Sequence, residues 1–263
     1  VEIHDDLNIE GRIIRLLVFL TKFLNSNSII KLITTTHTLK KVFIKRYGVK
    51  KDKIQVLHNA SSLNVKFKNY KSLKKKLNIG YFGSIFESRG LKIITKLSEI
   101  DRNNNYFIYG GEKNDIKNLK KKFKNTNIFF SQFIPYSNIV DRLKKIDVCI
   151  LPYTKKITVS GNVGDISSYT SPLKVFDYMK TGKLIICSNL KVIREVLIDN
   201  ENCLLVDDFE NINIWLSTIN SIKSNKKRFN RIRQNAYIFG NKYNIIWRAK
   251  NLLLNVNKYW NYK

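Results

Sequence analysis

The stretch YTSPLKVFDYMKTGKLIICS, residues 169–188, contains a helix followed by a strand. Pro172 stands where the helix should begin and Gly182 where it should end, because proline fits the first helical turn and glycine the residue after the last. The apolar run 184–187 then has the composition of a buried strand. A helix and a buried strand in this order are typical of a parallel-sheet domain.

The same alternation of short apolar runs and amphipathic stretches continues in both directions along the chain. It predicts βαβ units and a parallel sheet. The predicted strands are 32–36, 54–58, 79–82, 106–109, 128–131, 148–151, 184–187 and 203–206. The predicted helices are 12–24, 39–47, 91–100, 116–123, 138–144, 173–180, 193–198 and 212–222, with two more within 225–239 and 245–260.

A lysine-rich stretch without a clean period, VKFKNYKSLKKK, divides the chain. We take residues 63–76 as a linker and 77–239 as a Rossmann-like, doubly wound parallel-sheet domain of ordinary size. Residues 1–62 are too few for a self-sufficient α/β domain. We therefore expect a partial α/β segment lacking roughly 100 residues of its domain. Residues 240–263 are predicted to form a terminal helix that packs back on the amino-terminal part.

The composition is that of a folded, strongly basic protein. Lys and Arg number 48 against 20 Asp and Glu, a net charge of +28. Such a charge favours an anionic partner: nucleic acid, an anionic membrane face or a phosphorylated ligand. The heavy use of Lys, Asn and Ile is equally typical of an AT-rich genome. A hydrophobic fraction of 43% excludes a disordered chain.

Cysteine usage and hydropathy favour a cytoplasmic protein. The three cysteines lie in apolar, strand-like runs without metal-ligand spacing, which predicts reduced core residues. The longest apolar stretch, 13–20, is interrupted by Arg15 and is shorter than the ~20 residues that span a bilayer. No signal peptide is visible, although the sequence starts with Val1 rather than Met.

The first candidate binding loop is IGYFGSIFESRGL, residues 79–91. A strand ends at Gly83, and Gly90 opens a helix whose first N–H groups favour an anion. Arg89 adds a guanidinium suited to phosphate oxygens. The pattern alone is often a plain turn, and it matches neither a Walker loop nor GxGxxG.

The second candidate loop lies at the start of the helix in residues 169–188. Thr170 or Ser171 is predicted to cap that helix. Asp177 follows Lys174 by three residues, so the two side chains share one helix face. A buried acid there suits a ribose diol. The alternative is an Asp paired with Lys174 or Lys180.

Both loops follow strands of one predicted sheet at their carboxyl ends, where open α/β sheets bind ligands. With Arg89, Lys174 and Asp177 in one cleft, the predicted ligand is a nucleoside diphosphate.

Residues 77–206 resemble the donor domain of the glycosyl transferases group 1 family, which has the two-domain GT-B architecture. Six blocks follow in the family's order over about 190 residues. They are YFGS…RG, IYGG, FFSQFIPYSNIVDRLKKIDVCILPY, SPLKVFDYMKTGKLIICSN, REVLIDNENCLLV and NIIWRAKNLL. Residues 1–62 also resemble the end of the family's acceptor-side Rossmann-like domain, through VEIHDD and TTTHTLKKVFIKRYGVKKDKIQVLHNA.

The resemblance implies a donor site. Gly83 and Ser84 would contact the diphosphate through the backbone, Arg89 would pair with phosphate, and Asp177 would bind the ribose. The full donor-binding set it implies is Gly83, Ser84, Arg89, Gly90, Thr170, Ser171, Pro172, Leu173, Lys174 and Asp177. Arg89, Lys174 and His4 are the catalytic candidates. His4 has an equally weighted structural interpretation, and His37 and His58 are predicted to be structural.

The implied activity is transfer of a sugar from a nucleotide-diphosphate sugar to a glycan or lipid-linked acceptor, with retention, in cell-surface polysaccharide synthesis. No cofactor and no metal are implied. Three departures leave the sugar open: Tyr169 stands where the family often has an acid, Asp177 replaces Glu, and Ser84 replaces Arg.

Other hypotheses remain open at this point. One is a nucleotide-sugar epimerase of the same architecture, and another is a non-catalytic fragment. A nucleic-acid-binding module rests only on the charge, and no nucleic-acid partner is expected because no recognised motif is present. Segment 11–24 places Arg12, Arg15 and Lys22 beside an apolar stripe, which predicts peripheral binding to an anionic inner-membrane face.

Overall fold

A computed structural model describes residues 1–6, 16, 19, 22–68, 76–124, 126–158 and 164–260, the last six of these by their backbone only. The strands are β1 (Glu2–Ile3), β2 (Leu32–Thr34), β3 (Ile54–Val56), β4 (Asn78–Phe82), β5 (Asn105–Tyr109), β6 (Ile128–Ser131), β7 (Val148–Leu151), β8 (Leu184–Ser188) and β9 (Leu204–Val206). The helices are α1 (His37–Tyr47), α2 (Leu91–Ile100), α3 (Lys113–Lys122), α4 (Ile139–Lys144), α5 (Leu173–Lys180), α6 (Ile212–Ser221), α7 (Lys226–Lys242) and α8 (Ile245–Trp260).

Two parallel sheets form the α/β fold. The larger has the order β6-β5-β4-β7-β8-β9, and the smaller has the order β1-β2-β3. Numbered within the larger sheet, the strands run 3-2-1-4-5-6, the doubly wound order of nucleotide-binding folds. Ile79 of β4 lies opposite Tyr106 of β5 on one side and Val148 of β7 on the other. The predicted Rossmann-like parallel sheet is confirmed.

The central strands are buried on both faces, which explains their continuous apolar runs. Every residue of β7 and β8 is buried. Alternate residues point to opposite faces, so Cys149 joins one apolar cluster and Ile150 the other. Trp215 of α6 is fully buried in the second cluster, and its indole N–H donates to the Phe209 carbonyl at 2.9 Å. All three cysteines are buried and free.

The first apolar cluster extends into the amino-terminal segment. Leu32 of β2 and Phe43 of α1 belong to the same cluster as Cys149 and Val175. The side chain of Thr36 caps α1 by accepting from the Leu39 N–H at 3.0 Å. The small sheet is therefore packed against the domain that carries the larger one.

Helix α8 contacts the amino-terminal segment through buried Arg248. Its guanidinium donates to the His58 carbonyl at 3.0 Å and pairs with the Glu2 carboxylate. At the start of α8, the Ile245 N–H donates to the Ser61 carbonyl at 3.2 Å. These contacts place the carboxy-terminal helix across residues that precede the larger sheet.

Several element predictions need correction. The predicted helix 193–198 is only a 3-10 turn, Ile193–Glu195. Strand β1 was not predicted, because two residues are too short for a periodic signal. The predicted helix 12–24 falls mostly outside the described residues, as does segment 69–75 of the predicted linker. Among the helices that the structure describes, none is long and apolar enough to cross a membrane.

Replacing Arg248 with Ala is expected to lower the free energy of unfolding by about 1–3 kcal/mol, because a buried carbonyl and the Glu2 carboxylate lose a charged donor. Urea denaturation measures this. The matched control is Lys250→Ala on the exposed face of the same helix, where the change should stay within about 0.5 kcal/mol. Equal losses in the two variants would show that the Arg248 contacts contribute nothing.

Candidate functional site

A cavity of about 560 Å³ lies at the carboxyl edge of the larger sheet. It lies beside the ends of β4 and β7, where the strand order reverses. Its walls are formed by His4, Asp5, Thr35, Asn59, Phe82, Gly83, Ser84, Arg89, Tyr109, Phe133, Ile134, Tyr136, Ile139, Tyr153, Ile166, Thr170, Ser171, Pro172, Leu173, Lys174 and Asp177. The predicted site residues therefore line one cleft, except Gly90, which is the next residue after Arg89 in the sequence.

The glycine loop after β4 requires glycine at Gly83 and beside it at Gly110, because side chains at these two positions would clash with neighbouring atoms. Gly83 has φ 143°, and a Cβ there would lie 2.1 Å from the Lys174 ammonium. A Cβ on Gly110 would lie 1.8 Å from the Gly83 carbonyl oxygen. The Tyr81 hydroxyl donates to the Ser84 carbonyl at 2.7 Å and fixes the loop. Because Gly83 has no side chain, the backbone of this loop itself lines the cleft.

Arg89 ends a 3-10 turn, Glu87–Arg89, immediately before α2. Gly90 follows with φ 84°, and a Cβ there would lie 1.9 Å from the Pro152 carbonyl oxygen. The half-buried Arg89 guanidinium donates to the Thr158 carbonyl at 3.2 Å and stands 5.6 Å from the Tyr153 ring centroid. Only a glycine fits the position after Arg89, and this close backbone approach holds the Arg89 charge at the cleft wall.

The start of α5 differs from the prediction. Pro172 itself is the N-cap residue and the helix has no side-chain cap, so the predicted capping by Thr170 or Ser171 is wrong. Ser171 instead accepts from the Asn59 amide at 3.0 Å, and the same amide donates to the Ser171 carbonyl at 2.9 Å. Because Pro172 occupies the N-cap position and no side chain caps the helix, the first backbone N–H groups of α5 remain available to a ligand in the cleft.

Lys174 is a cation without a carboxylate partner among the described residues. Its ammonium lies 4.6 Å from the Tyr81 ring centroid and 3.4 Å from the Tyr81 hydroxyl. Burial lowers the pKa of Lys174 to about 7, with repulsion from Arg89 as the second cause. An anion between Lys174 and Arg89 would relieve both effects.

Asp177 is buried at the bottom of the cleft, and its Oδ1 accepts from the Ser61 hydroxyl at 2.6 Å and the Tyr136 hydroxyl at 2.9 Å. Burial raises the pKa of the Asp177 carboxyl, and the two hydrogen bonds oppose that shift. Lys180 instead donates to Asn241. Asp177 thus pairs with neither lysine, and no described residue donates to its Oδ2.

The amino-terminal segment contributes the opposite wall of the cleft. His4 is mostly exposed, with its Nε2 3.1 Å from a Glu2 carboxylate oxygen. Asp5 lines the cleft, where burial raises the pKa of its carboxyl against the attraction of His4 and Arg89. The Thr35 hydroxyl is buried without a hydrogen-bond partner among the described residues.

Sequence patterns assigned no role to four polar residues that line this cleft, Asp5, Thr35, Asn59 and Tyr136, or to Ser61, which holds Asp177. All except Ser61 lie in blocks that the family resemblance had marked, but the resemblance assigned them no role. Asn59, Ser61 and Tyr136 act through partners 41 to 116 residues away in sequence, and Thr35 has no hydrogen-bond partner among the described residues. Local spacing carries no signal for such pairs.

Comparisons with known proteins agree with this geometry. The family model described as "Glycosyl transferases group 1" matches residues 62–239. No curated protein sequence matches the chain.

Solved structures share the fold at low identity. Anabaena Alr3699/HepE in complex with UDP and glucose superposes with a TM-score of 0.73 at 14% identity, over 97% of this chain and 70% of that one. A glycosyltransferase from Rickettsia africae gives 0.67 at 16% identity, over 90% and 66%. Sucrose-phosphate synthase from Thermosynechococcus elongatus gives 0.71 at 14% identity, over 98% and 64%.

Gly90→Ala should destabilise the protein beyond the ordinary cost of a positive φ. Gly48 also has a positive φ, 62°, but a Cβ there would meet nothing within 4 Å, so Gly48→Ala isolates the backbone cost. That cost is about 1–2 kcal/mol, and we expect Gly90→Ala to lose a further ~1–3 kcal/mol through the clash with Pro152. Thermal unfolding of the two variants side by side tests this. A smaller loss for Gly90→Ala than for Gly48→Ala would contradict the assigned close approach.

Proposed function

The chain belongs to the glycosyl transferases group 1 family, and we propose that its cleft binds a nucleotide-diphosphate sugar and transfers the sugar to an acceptor. The observation that carries this proposal is the convergence of two cations, one helix start and one buried carboxylate at the strand-order reversal. Arg89 and Lys174 supply the cations, and Asp177 the carboxylate. A nucleoside diphosphate has the complementary groups in the same order: two phosphates and then a ribose diol.

The diphosphate is assigned to the side of the cleft lined by the glycine loop. Ser84 offers its backbone N–H there, whereas the Gly83 N–H already donates to the Tyr109 carbonyl at 2.9 Å. Helix α5 begins at Leu173 on the same side. Helix starts favour negative charge. Because Lys174 and Arg89 repel each other in the free protein, a bound dianion converts an unfavourable pair into two favourable ones. Thr170, Ser171 and Pro172 complete this wall.

The ribose is assigned to Asp177. Helix α5 is preceded by Pro172, so Asp177 lies five residues further, about one and a half turns or ~7.5 Å along the axis. Ser61 and Tyr136 hold Oδ1 in place, which leaves Oδ2 for a ligand hydroxyl. An ionised carboxylate has acceptor positions for both donors of a diol. The apolar side chains of Phe133, Ile134 and Ile139 line the same cleft and suit the base.

In the proposed reaction, the bond between the anomeric carbon and the donor phosphate breaks, and a bond to the acceptor oxygen forms on the same face, with retention. Arg89, Lys174 and the start of α5 stabilise the charge that develops on the leaving diphosphate. The leaving phosphate takes the acceptor proton, so we assign no protein nucleophile, cofactor or metal to the step. His4, Asp5 and the Thr35 hydroxyl, on the facing wall, are assigned to the sugar or the acceptor.

We further propose a glycan or lipid-linked acceptor and a role in cell-surface polysaccharide synthesis at the cytoplasmic membrane face. The net charge of +28 supports attachment to an anionic surface. Segment 11–24, which motivated this, lies mostly outside the described residues. Flotation with neutral and with anionic vesicles tests it, and equal flotation would rule out an electrostatic attachment.

The nearest competing function is a nucleotide-sugar epimerase of the same architecture. The two differ in what the enzyme needs. A transferase releases nucleoside diphosphate in step with sugar transfer to an added acceptor, whereas an epimerase interconverts the sugar without one. HepE was crystallised with UDP-glucose, so uridine diphosphate and its sugars are the first ligands to test.

Asp177→Asn should weaken binding of uridine diphosphate but leave binding of inorganic pyrophosphate unchanged. Asn still accepts from Ser61 and Tyr136, yet it replaces the second oxygen by a donor. Losing a charged hydrogen bond costs about 1.5–3 kcal/mol, or roughly 10- to 150-fold in affinity. Isothermal titration with both ligands measures this, with exposed Asp115→Asn as the control. Equal losses for the two ligands would show that Asp177 does not bind the ribose.

Binding of uridine diphosphate should weaken as pH rises from 7 to 9. Below pH 7 Lys174 is protonated in the free protein, whereas above it the lysine is neutral and must take up a proton when the anion binds. Calorimetry in buffers of different ionisation enthalpy should detect that proton. Lys174→Met should bind more weakly at pH 6.5 and lose most of the pH dependence. A pH dependence unchanged in the variant would exclude Lys174 from the phosphate site.

A further inference from the structure

Three side chains with metal-ligating atoms meet beside the cleft, outside the proposed donor site. His37 is the first residue of α1, His58 follows β3, and Glu195 ends the 3-10 turn after β8. One nitrogen of each imidazole and a carboxylate oxygen all lie within 4.8 Å of one another. Two of these residues belong to the amino-terminal segment, and Glu195 lies between two strands of the larger sheet, β8 and β9.

One ring nitrogen of His58 is hydrogen-bonded, and no described residue hydrogen-bonds to the other. Its Nδ1 lies 2.9 Å from the Thr35 carbonyl oxygen. A carbonyl only accepts, so Nδ1 carries the proton and Nε2 keeps its lone pair. The ring packs edge-on against Tyr243 and His37, at centroid distances of 5.8 and 5.7 Å. A ligating histidine is held in this way in most protein metal sites.

The carboxylate of Glu195 is held equally firmly. Its Oε2 accepts from the His37 N–H at 2.6 Å, and its Oε1 accepts from the Thr38 N–H at 2.9 Å and the Thr38 hydroxyl at 3.0 Å. A carboxylate has about four lone-pair positions, so these three bonds leave acceptor capacity. The imidazole of His37 is exposed, and no described residue hydrogen-bonds to it.

We propose that His37, His58 and Glu195 form a zinc site that ties the amino-terminal segment to the larger sheet. Two imidazole nitrogens and one carboxylate oxygen are a common zinc set, with water in a fourth position. Zinc–ligand bonds of about 2.0–2.2 Å place tetrahedral ligands about 3.3 Å apart. The ligand atoms must therefore approach by at most about 1.5 Å, and the exposed His37 side chain can rotate to supply its share of that movement.

The position of the site defines its role. Thr35 and Asn59 are close neighbours of His37 and His58 in sequence, and both line the cleft. Glu195 does not line the cleft, but it follows β8 in the part of the chain that forms the opposite wall. A zinc ion bound by all three holds the two walls at one separation, including the hydrogen bonds between Asn59 and Ser171. The proposed ion is structural and takes no part in the sugar transfer.

Titration of the whole chain with zinc chloride tests the proposal, followed by calorimetry and by thermal unfolding. We expect one zinc per chain and a higher melting temperature, since a ligand that binds only the folded state stabilises it. His37→Gln should weaken zinc binding by at least roughly tenfold, as should Glu195→Gln, while magnesium chloride should have no effect. Because His37 is exposed, its variant is expected to fold normally, which circular dichroism checks.

The chain provides a matched control in His4, its only other histidine. His4→Gln should bind zinc as the unmodified protein does. Zinc binding that survives His37→Gln, or that falls equally in His4→Gln, would overturn the proposal by placing the ion elsewhere. So would the lack of any binding at about 100 µM zinc, far above the dissociation constants of protein zinc sites. None of these outcomes depends on the proposed donor site.

Discussion

A parallel sheet that is buried on both faces can offer functional groups only at its strand ends, and this constraint shapes the whole protein. Strands β7 and β8 have no exposed residue, so their side chains pack into two apolar clusters and carry no chemistry. The loops after β4 and β7 lead apart at the reversal of strand order and leave a cleft between them. Arg89, Lys174 and Asp177 are functional candidates because they stand at this one edge.

The electrostatics of the cleft follow from that geometry. Two cations face one wall, and neither forms a salt bridge with a described carboxylate. Burial therefore lowers the pKa of Lys174, and repulsion from Arg89 lowers it further. Burial also disfavours the charged form of Asp177 and raises the pKa of its carboxyl, while the hydrogen bonds from Ser61 and Tyr136 favour the charged form. The free cleft thus holds separated charges that a ligand with phosphates and hydroxyls satisfies. This local arrangement carries more weight than the overall charge of +28, which an AT-rich genome also explains.

The sequence predicted most of the larger sheet, because buried strands leave continuous apolar runs and glycines mark their ends. It also predicted where α5 begins and ends, although it misassigned the cap. Thr170 and Ser171 are good capping residues by propensity, but Pro172 occupies the N-cap position and Ser171 is engaged by Asn59. The hydrogen bonds that hold Asp177 were beyond reach, since periodicity reports burial and says nothing about which distant residue donates.

The same limit explains why the contacts between the amino-terminal segment and the larger sheet were not anticipated. Several of them are polar. Glu195 accepts from the first amides of α1, Asn59 donates to Ser171, and Ser61 donates to Asp177.

Two of these contacts join residues of the proposed donor site, Ser171 and Asp177, to the amino-terminal segment. A ligand that binds Ser171 or Asp177 therefore acts on the same atoms that position the amino-terminal segment. Because such polar contacts each contribute only about 0.5–3 kcal/mol, binding at the cleft and the arrangement of its walls are energetically comparable.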